Sequence, residues 1–164
     1  MSNFKNQRCW LTVDRSALKH NLAQIKKNVP NASVMAVIKA NGYGHGMEEV
    51  ATVLDGADEF AVSDFNDLYR LHAAGVTKPI NLLSPIFNYE DVKKLATLNA
   101  RAVIYEWAQL QLLEQLDASA QLNVWLKVDT GMGRLGFLYD EYKIVLARLL
   151  NNPAIASVLS LIHI

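Results

Sequence analysis

Lys39 stands at the junction of two unlike stretches. Before it runs Val34-Met35-Ala36-Val37-Ile38, apolar throughout. After it comes Ala40-Asn41-Gly42-Tyr43-Gly44-His45-Gly46, where glycines alternate with a tyrosine and a histidine. An unbroken apolar run rich in Val and Ile reads as a strand buried on both faces. Lys39 would then sit at its C-terminal end, where parallel α/β folds bind their ligands. The glycines admit positive φ and a close backbone approach. Met47, Val50, Ala51 and Leu54 recur at helical spacing, so a helix N-terminus suited to an anion should follow the turn. An amine beside an anion seat is the equipment for holding a phosphate-bearing carbonyl compound as a Schiff base.

A second stretch reads Trp125-Leu126-Lys127-Val128-Asp129-Thr130-Gly131-Met132-Gly133-Arg134-Leu135-Gly136. Gly131, Gly133 and Gly136 have G-x-G-x-x-G spacing between a strand pattern and a helix pattern, as in a dinucleotide-binding turn. That turn expects an acidic residue about 20 positions on, and none follows Glu141. It also normally follows the first strand of its domain, whereas this strand is the fifth of the series. A nicotinamide-dependent oxidoreductase therefore ranks low. Arg134 brings a different chemistry, because its planar fork pairs with a carboxylate through two charge-assisted hydrogen bonds.

For Lys39 and Arg134 to meet, the strands before them must share a sheet. Further strands are expected at 59–63, 79–84, 101–105, 122–129 and 156–162, each but the last followed by apolar residues at helical spacing. Upstream, Trp10-Leu11-Thr12-Val13 is β-prone. Asp14 is a plausible N-cap for a helix carrying Leu18, Leu22, Ile25 and Val29, with Pro30 beyond its end. Ser63 or Asp64, and Asn88, are the cap candidates of later helices, and Gly75 is a stop signal. Strand–helix alternation predicts a parallel sheet with right-handed crossovers. Its regularity favours a (β/α)8 TIM-barrel type over a doubly wound sheet. A complete barrel needs about 250 residues, so 164 residues hold about six of the eight strands. Residues 1–164 are accordingly expected to be the N-terminal part of a longer barrel domain.

Composition is that of an ordinary globular protein, 51% apolar and 20% charged, with zero formal net charge. No basic cluster invites nucleic acid or an anionic membrane, and no apolar run approaches the roughly 20 residues of a membrane span. A lone Cys9 fits a reducing cytoplasm. His20, His45, His72 and His163 lack metal-ligand spacing.

The run from Val37 to Gly46 resembles the pyridoxal-phosphate signature of alanine racemases. The segment from Lys127 to Gly136 resembles a second conserved run of that family, and the His20-Asn21-Leu22 region its opening helix. The resemblance spans about residues 9–150. It implies a pyridoxal-phosphate-binding barrel in which Lys39 holds the cofactor and exchanges protons with substrate. It further implies that Tyr43 binds the phosphate, that Arg134 binds the substrate carboxylate, and that Lys127 supports Arg134, as a carbamate in some members. The implied reaction interconverts L- and D-alanine for cell-wall peptidoglycan, in a cytoplasmic homodimer. A non-catalytic pyridoxal-phosphate-binding barrel is the alternative. In the family a second proton donor is a tyrosine from the partner's C-terminal β-domain. That domain is not within these 164 residues, so efficient racemisation by this chain alone is not expected. The closing run Leu159-Ser160-Leu161-Ile162-His163-Ile164 resembles a translated adapter sequence. Alternatively, His163 matches the family histidine that stacks beside the cofactor ring.

Overall fold

The computed structural model describes residues 9–162. Its frame is a six-stranded, wholly parallel sheet in the order β1-β2-β3-β4-β5-β6. The strands are β1 (Met35–Val37), β2 (Glu59–Val62), β3 (Ile80–Leu82), β4 (Ala100–Ile104), β5 (Leu122–Val128) and β6 (Ile155–Ile162). A doubly wound sheet reverses its strand order at a switch point. This order never reverses, so each right-handed crossover lays its helix on the same face. The result is six consecutive units of a β/α barrel.

Helix α1 (Arg15–Asn28) precedes the sheet, and the crossovers carry α2 (Met47–Val53), α3 (Phe65–Ala73), α4 (Tyr89–Thr97), α5 (Trp107–Leu113) and α6 (Tyr139–Leu150). Their starts follow local chemistry. Asp14 accepts from the N–H groups of Ser16 and Ala17 at 2.9 and 3.1 Å, Asp64 from Asn66 at 2.6 Å, and Asn88 from Asp91 at 2.9 Å. Each satisfies N–H groups that the first helical turn leaves without partners. Gly75, just past α3, has the φ of +83° that such a stop requires.

Period-two alternation divides each strand between two layers. Phe60, Val62, Ile80, Leu82, Ala102, Ile104, Leu122, Val124 and Leu126 face the helices and form the core with Leu68, Leu71, Val92, Leu95, Leu110, Leu113, Val145 and Leu149. The alternate residues face the barrel axis, and their lower layer is polar. Arg101 pairs with Glu59, and Asn81 donates to Glu59 Oε2 and to the Phe60 carbonyl at 2.9 Å each. Trp125 Nε1 in turn donates to Asn81 Oδ1 at 2.5 Å. Asn81 is fully buried, yet every polar atom of its side chain is paired. A bulge beside Leu122 restores parity in β6, so that Ser157, Leu159 and Leu161 register with Asn123, Trp125 and Lys127.

Three expectations change. Trp10 to Val13 form no strand; Trp10 and Leu11 are 78% and 75% exposed, and among the described residues no strand offers its backbone a ladder. Strand β1 is not buried on both faces, because among the described residues it pairs only with β2, and Val37 is 40% exposed. In α1, Leu22 is buried and Leu18 packs on the core, but Ile25 is 51% exposed.

Candidate active site

The upper axial layer is the continuation of the inward positions. Two residues beyond Val37, Ala61, Asn81, Val103, Trp125 and Leu159 stand Lys39, Ser63, Leu83, Tyr105, Lys127 and Leu161. All six line one cavity of about 250 Å³ at the C-terminal ends of the strands, together with Val103, Arg134 and Leu135. Its lining holds the cationic side chains of Lys39, Lys127 and Arg134 and no carboxylate. None of the three cations enters an ion pair among the described residues. Like charges gathered on a wall that holds no carboxylate favour an anionic ligand, while Leu83, Val103, Leu135 and Leu161 provide apolar wall.

Lys39 is aimed by an unusual turn. From Lys39 to Tyr43 the chain makes one tight turn of left-handed sense, with φ of +51° at Ala40, +55° at Asn41, +63° at Gly42 and +52° at Tyr43. Left-handed conformation costs a non-glycine residue about 1–2 kcal/mol, so surrounding contacts must hold it. Gly42 N–H bonds the Ile38 carbonyl at 2.9 Å, and Gly46 N–H the Asn41 carbonyl at 2.9 Å. Asn41 Oδ1 accepts from Met47 N–H, the start of α2, at 3.1 Å. Behind it Arg70 grips Glu48 at 2.8 and 3.0 Å. Gly42 is itself packed against α2; an added Cβ would lie 3.3 Å from a Val50 methyl.

The glycine-rich turn does lead into a helix, but that helix N-terminus is no anion seat. Asn41 already caps it, and Glu48 and Glu49 occupy its first turn, where carboxylates complement the helix dipole. Tyr43 is 59% exposed and does not line the cavity. His163 lies outside the described residues.

Arg134 arrives on a loop that folds back onto β5. Asp129 N–H donates to the Phe137 carbonyl at 2.9 Å and Phe137 N–H to the Lys127 carbonyl at 3.0 Å, closing residues 129–137 on the strand end. Inside the loop, Asp129 Oδ1 accepts from Gly131 and Gly133 N–H at 3.0 Å each, which holds its carboxyl below the usual range. Gly136 permits the closure: its φ is +123°, and an added Cβ would stand 2.7 Å from Asp129 N. The three glycines thus shape a loop that returns to set Phe137 beside Val128 in a parallel bridge. Helix α6 starts only at Tyr139, with Glu141 accepting from Leu138 N–H at 3.1 Å, so the glycine spacing does not form a dinucleotide turn at a helix N-terminus.

Sequence reading missed Ser63, Leu83, Tyr105 and Leu161. Their signal was parity: each lies two residues past an inward-facing strand position.

These features define a class, a parallel β/α barrel that presents an amine at the tip of one strand and two further cations on the same cavity. The chain belongs to the alanine racemase family, matching its N-terminal domain over residues 13–164. It is 44% identical over 149 residues to the alanine racemase of Nitrosococcus oceani, covering 91% of this chain and 42% of that protein. With the alanine racemase of Vibrio cholerae it shares 43% identity over 137 residues, 84% of this chain and 38% of that one. The biosynthetic alanine racemase of Pseudomonas aeruginosa superposes with TM-score 0.86 at 37% identity, over 93% of this chain and 43% of that one. A histidine racemase from Leuconostoc mesenteroides superposes with TM-score 0.76 at 29% identity, over 86% and 39% of the two chains. The chain thus spans about two fifths of the length of the curated relatives it matches.

Proposed function

We propose that the chain carries the lysine half of a pyridoxal-phosphate-dependent amino-acid racemase acting on alanine, and that residues 1–164 are the N-terminal part of its barrel domain. The observation that carries this reading is the convergence of Lys39, Lys127 and Arg134 on one cavity without a carboxylate. The donor set suits the cofactor: an amine for its aldehyde, cations for its anionic groups, and Leu83 and Leu161 for its ring. When bound, the cofactor supplies an electron sink that acidifies the substrate Cα–H.

The chain's own residues supply the rest. Lys39, half-buried on a rigid turn, takes or returns a proton at the substrate Cα on its own side. Arg134, on the loop beside the cavity mouth, orients the carboxylate through its planar fork. Lys127, on the same strand end, shares the cavity with it and supports its placement. Tyr43 is proposed to hold the cofactor phosphate; as it lies outside the cavity wall, its hydroxyl would reach the phosphate from the rim. Alanine is favoured by the 44% and 43% identical relatives, while the histidine racemase likeness shows that this fold also serves other amino acids. A homodimer and a supply of D-alanine for peptidoglycan complete the reading.

The test is spectroscopic. Added pyridoxal phosphate should give a visible absorption band that is lost in Lys39→Ala; wild-type protein without such a band would sink the assignment. Chiral analysis of L-alanine incubated with the loaded protein then measures turnover. Slow or absent turnover is expected, since only one side of the two-sided proton exchange is supplied by the cavity residues.

A further inference from the structure

Tyr105 follows directly on β4, and the alternation that turns Arg101 and Val103 to the axis turns Tyr105 there too. The residue is 7% exposed and shares the cavity lining with Lys39, Lys127 and Arg134. The backbone beneath it is pinned: Tyr105 N–H donates to Gln109 Oε1 at 2.9 Å, and Gln109 Nε2 donates to the Val103 carbonyl at 3.3 Å. Gln109 is itself fully buried, so shifting the backbone that carries the ring would break two interior hydrogen bonds. The phenolic hydroxyl, by contrast, has no hydrogen-bond partner among the described residues. The residue is buried but the hydroxyl is not a buried orphan; it is open to the cavity that Tyr105 lines, and a ligand there can take its hydrogen bond.

Burial, followed by the charge of Glu106, pushes the phenol up to about 12, so it stays protonated and donates. Its depth identifies the acceptor. Arg134 and Leu135 are exposed residues of the loop over the mouth, whereas Tyr105 stands with Val103 among the buried residues of the wall. A buried wall donor meets the group that resides in the cavity before it meets one that enters and leaves.

We propose that Tyr105 is a ligand-binding residue of this site, donating its hydroxyl to an acceptor oxygen of the pyridoxal phosphate held by Lys39. This rests on the proposed function. A neutral donor orients the group without adding a fourth positive charge to the wall.

The test is absorbance titration with pyridoxal phosphate of the wild type, Tyr105→Phe, Tyr105→His and Lys39→Ala, each checked for native circular dichroism. Tyr105→Phe should bind about tenfold more weakly, the equivalent of about 1.4 kcal/mol for one hydrogen bond to a charged acceptor. Tyr105→His, which keeps a ring and a donor, should recover part of that loss. A wild-type band that vanishes in Lys39→Ala but persists in Tyr105→Phe with affinity within about twofold overturns this inference and leaves the cofactor assignment standing. Equal losses in Tyr105→Phe and Tyr105→His also overturn it, because they point to packing. No band in the wild type overturns both.

Discussion

Gly136→Ala is the sharpest perturbation of the loop that carries Arg134. The new Cβ would lie 2.7 Å from Asp129 N, 2.8 Å from the Val128 carbonyl carbon and 3.2 Å from the Lys127 carbonyl oxygen. All three are backbone atoms at the end of β5 and have no rotamer with which to yield. The chain must either keep a φ of +123° against the contact or open the two hydrogen bonds that join Asp129 and Phe137 to the strand end. Strain of the first kind costs about 1–3 kcal/mol, and losing two hydrogen bonds costs about 1–3 kcal/mol together. A loss of about 2–3 kcal/mol is therefore expected, or roughly 4–12 °C in Tm for a chain of this size. Gly131→Ala is the control. Its φ is +125° but an added Cβ meets nothing within 4 Å, so it reports backbone strain alone and should cost less. Thermal unfolding by circular dichroism gives the stability, and the rate of tryptic cleavage after Arg134 reports the opening of the loop. If Gly136→Ala melts no lower than Gly131→Ala and is cut no faster than wild type, the loop does not close on β5 in the way described.

Asn41→Ala removes the Asn41–Met47 cap and places alanine at a φ of +55°. It should cost about 1–2 kcal/mol in urea unfolding, and Asn41→Gly, which loses the cap but relaxes the backbone, should cost less. Equal losses would show that the left-handed turn carries no strain. Glu59→Ala leaves the Arg101 guanidinium in the barrel interior without its carboxylate and should lose about 3 kcal/mol, whereas Glu59→Ala with Arg101→Met should recover part of it; additive losses would refute the pairing. Asp129→Ala should destabilise at neutral pH. The carboxyl is held below its ordinary value of 3.8 in the folded chain, so its contribution is present above that value and is lost as the pH falls through the lower, folded one. The Tm gap between wild type and Asp129→Ala should accordingly narrow as the pH falls below the ordinary carboxylate value of 3.8, and a gap constant with pH would contradict the sign.

The fold was legible where the signal is local and repeated. Asp14, Asp64 and Asn88 cap the helices they precede, and the strand–helix rhythm predicted a parallel sheet that strand order confirms. Trp10-Leu11-Thr12-Val13 failed as a strand because β-propensity describes the fit to a half-buried ladder, and a ladder depends on a neighbour that local sequence does not reveal. The anion seat at α2 failed for a related reason: the residue able to cap it, Asn41, lies six positions upstream, outside the usual capping window. In the site, Lys39, Lys127 and Arg134 stood out as cations in glycine-rich surroundings. Ser63, Leu83, Tyr105 and Leu161 are ordinary residue types at the ends of ordinary strands. Only the register of six strands shows that they share a layer.

That shared layer makes the barrel sensitive to length in a way that point substitution does not test. Every residue of the cavity wall drawn from a strand is there by parity, so adding or deleting one residue within a strand exchanges its two faces. A one-residue slip in β4 would bring Ile104 or Glu106 to the place of Tyr105, and the second of these would set a carboxylate among Lys39, Lys127 and Arg134. Insertions and deletions among natural variants of this chain should therefore gather in the connections at the opposite end of the sheet, such as 74–78 and 117–121. The strands should change by substitution alone.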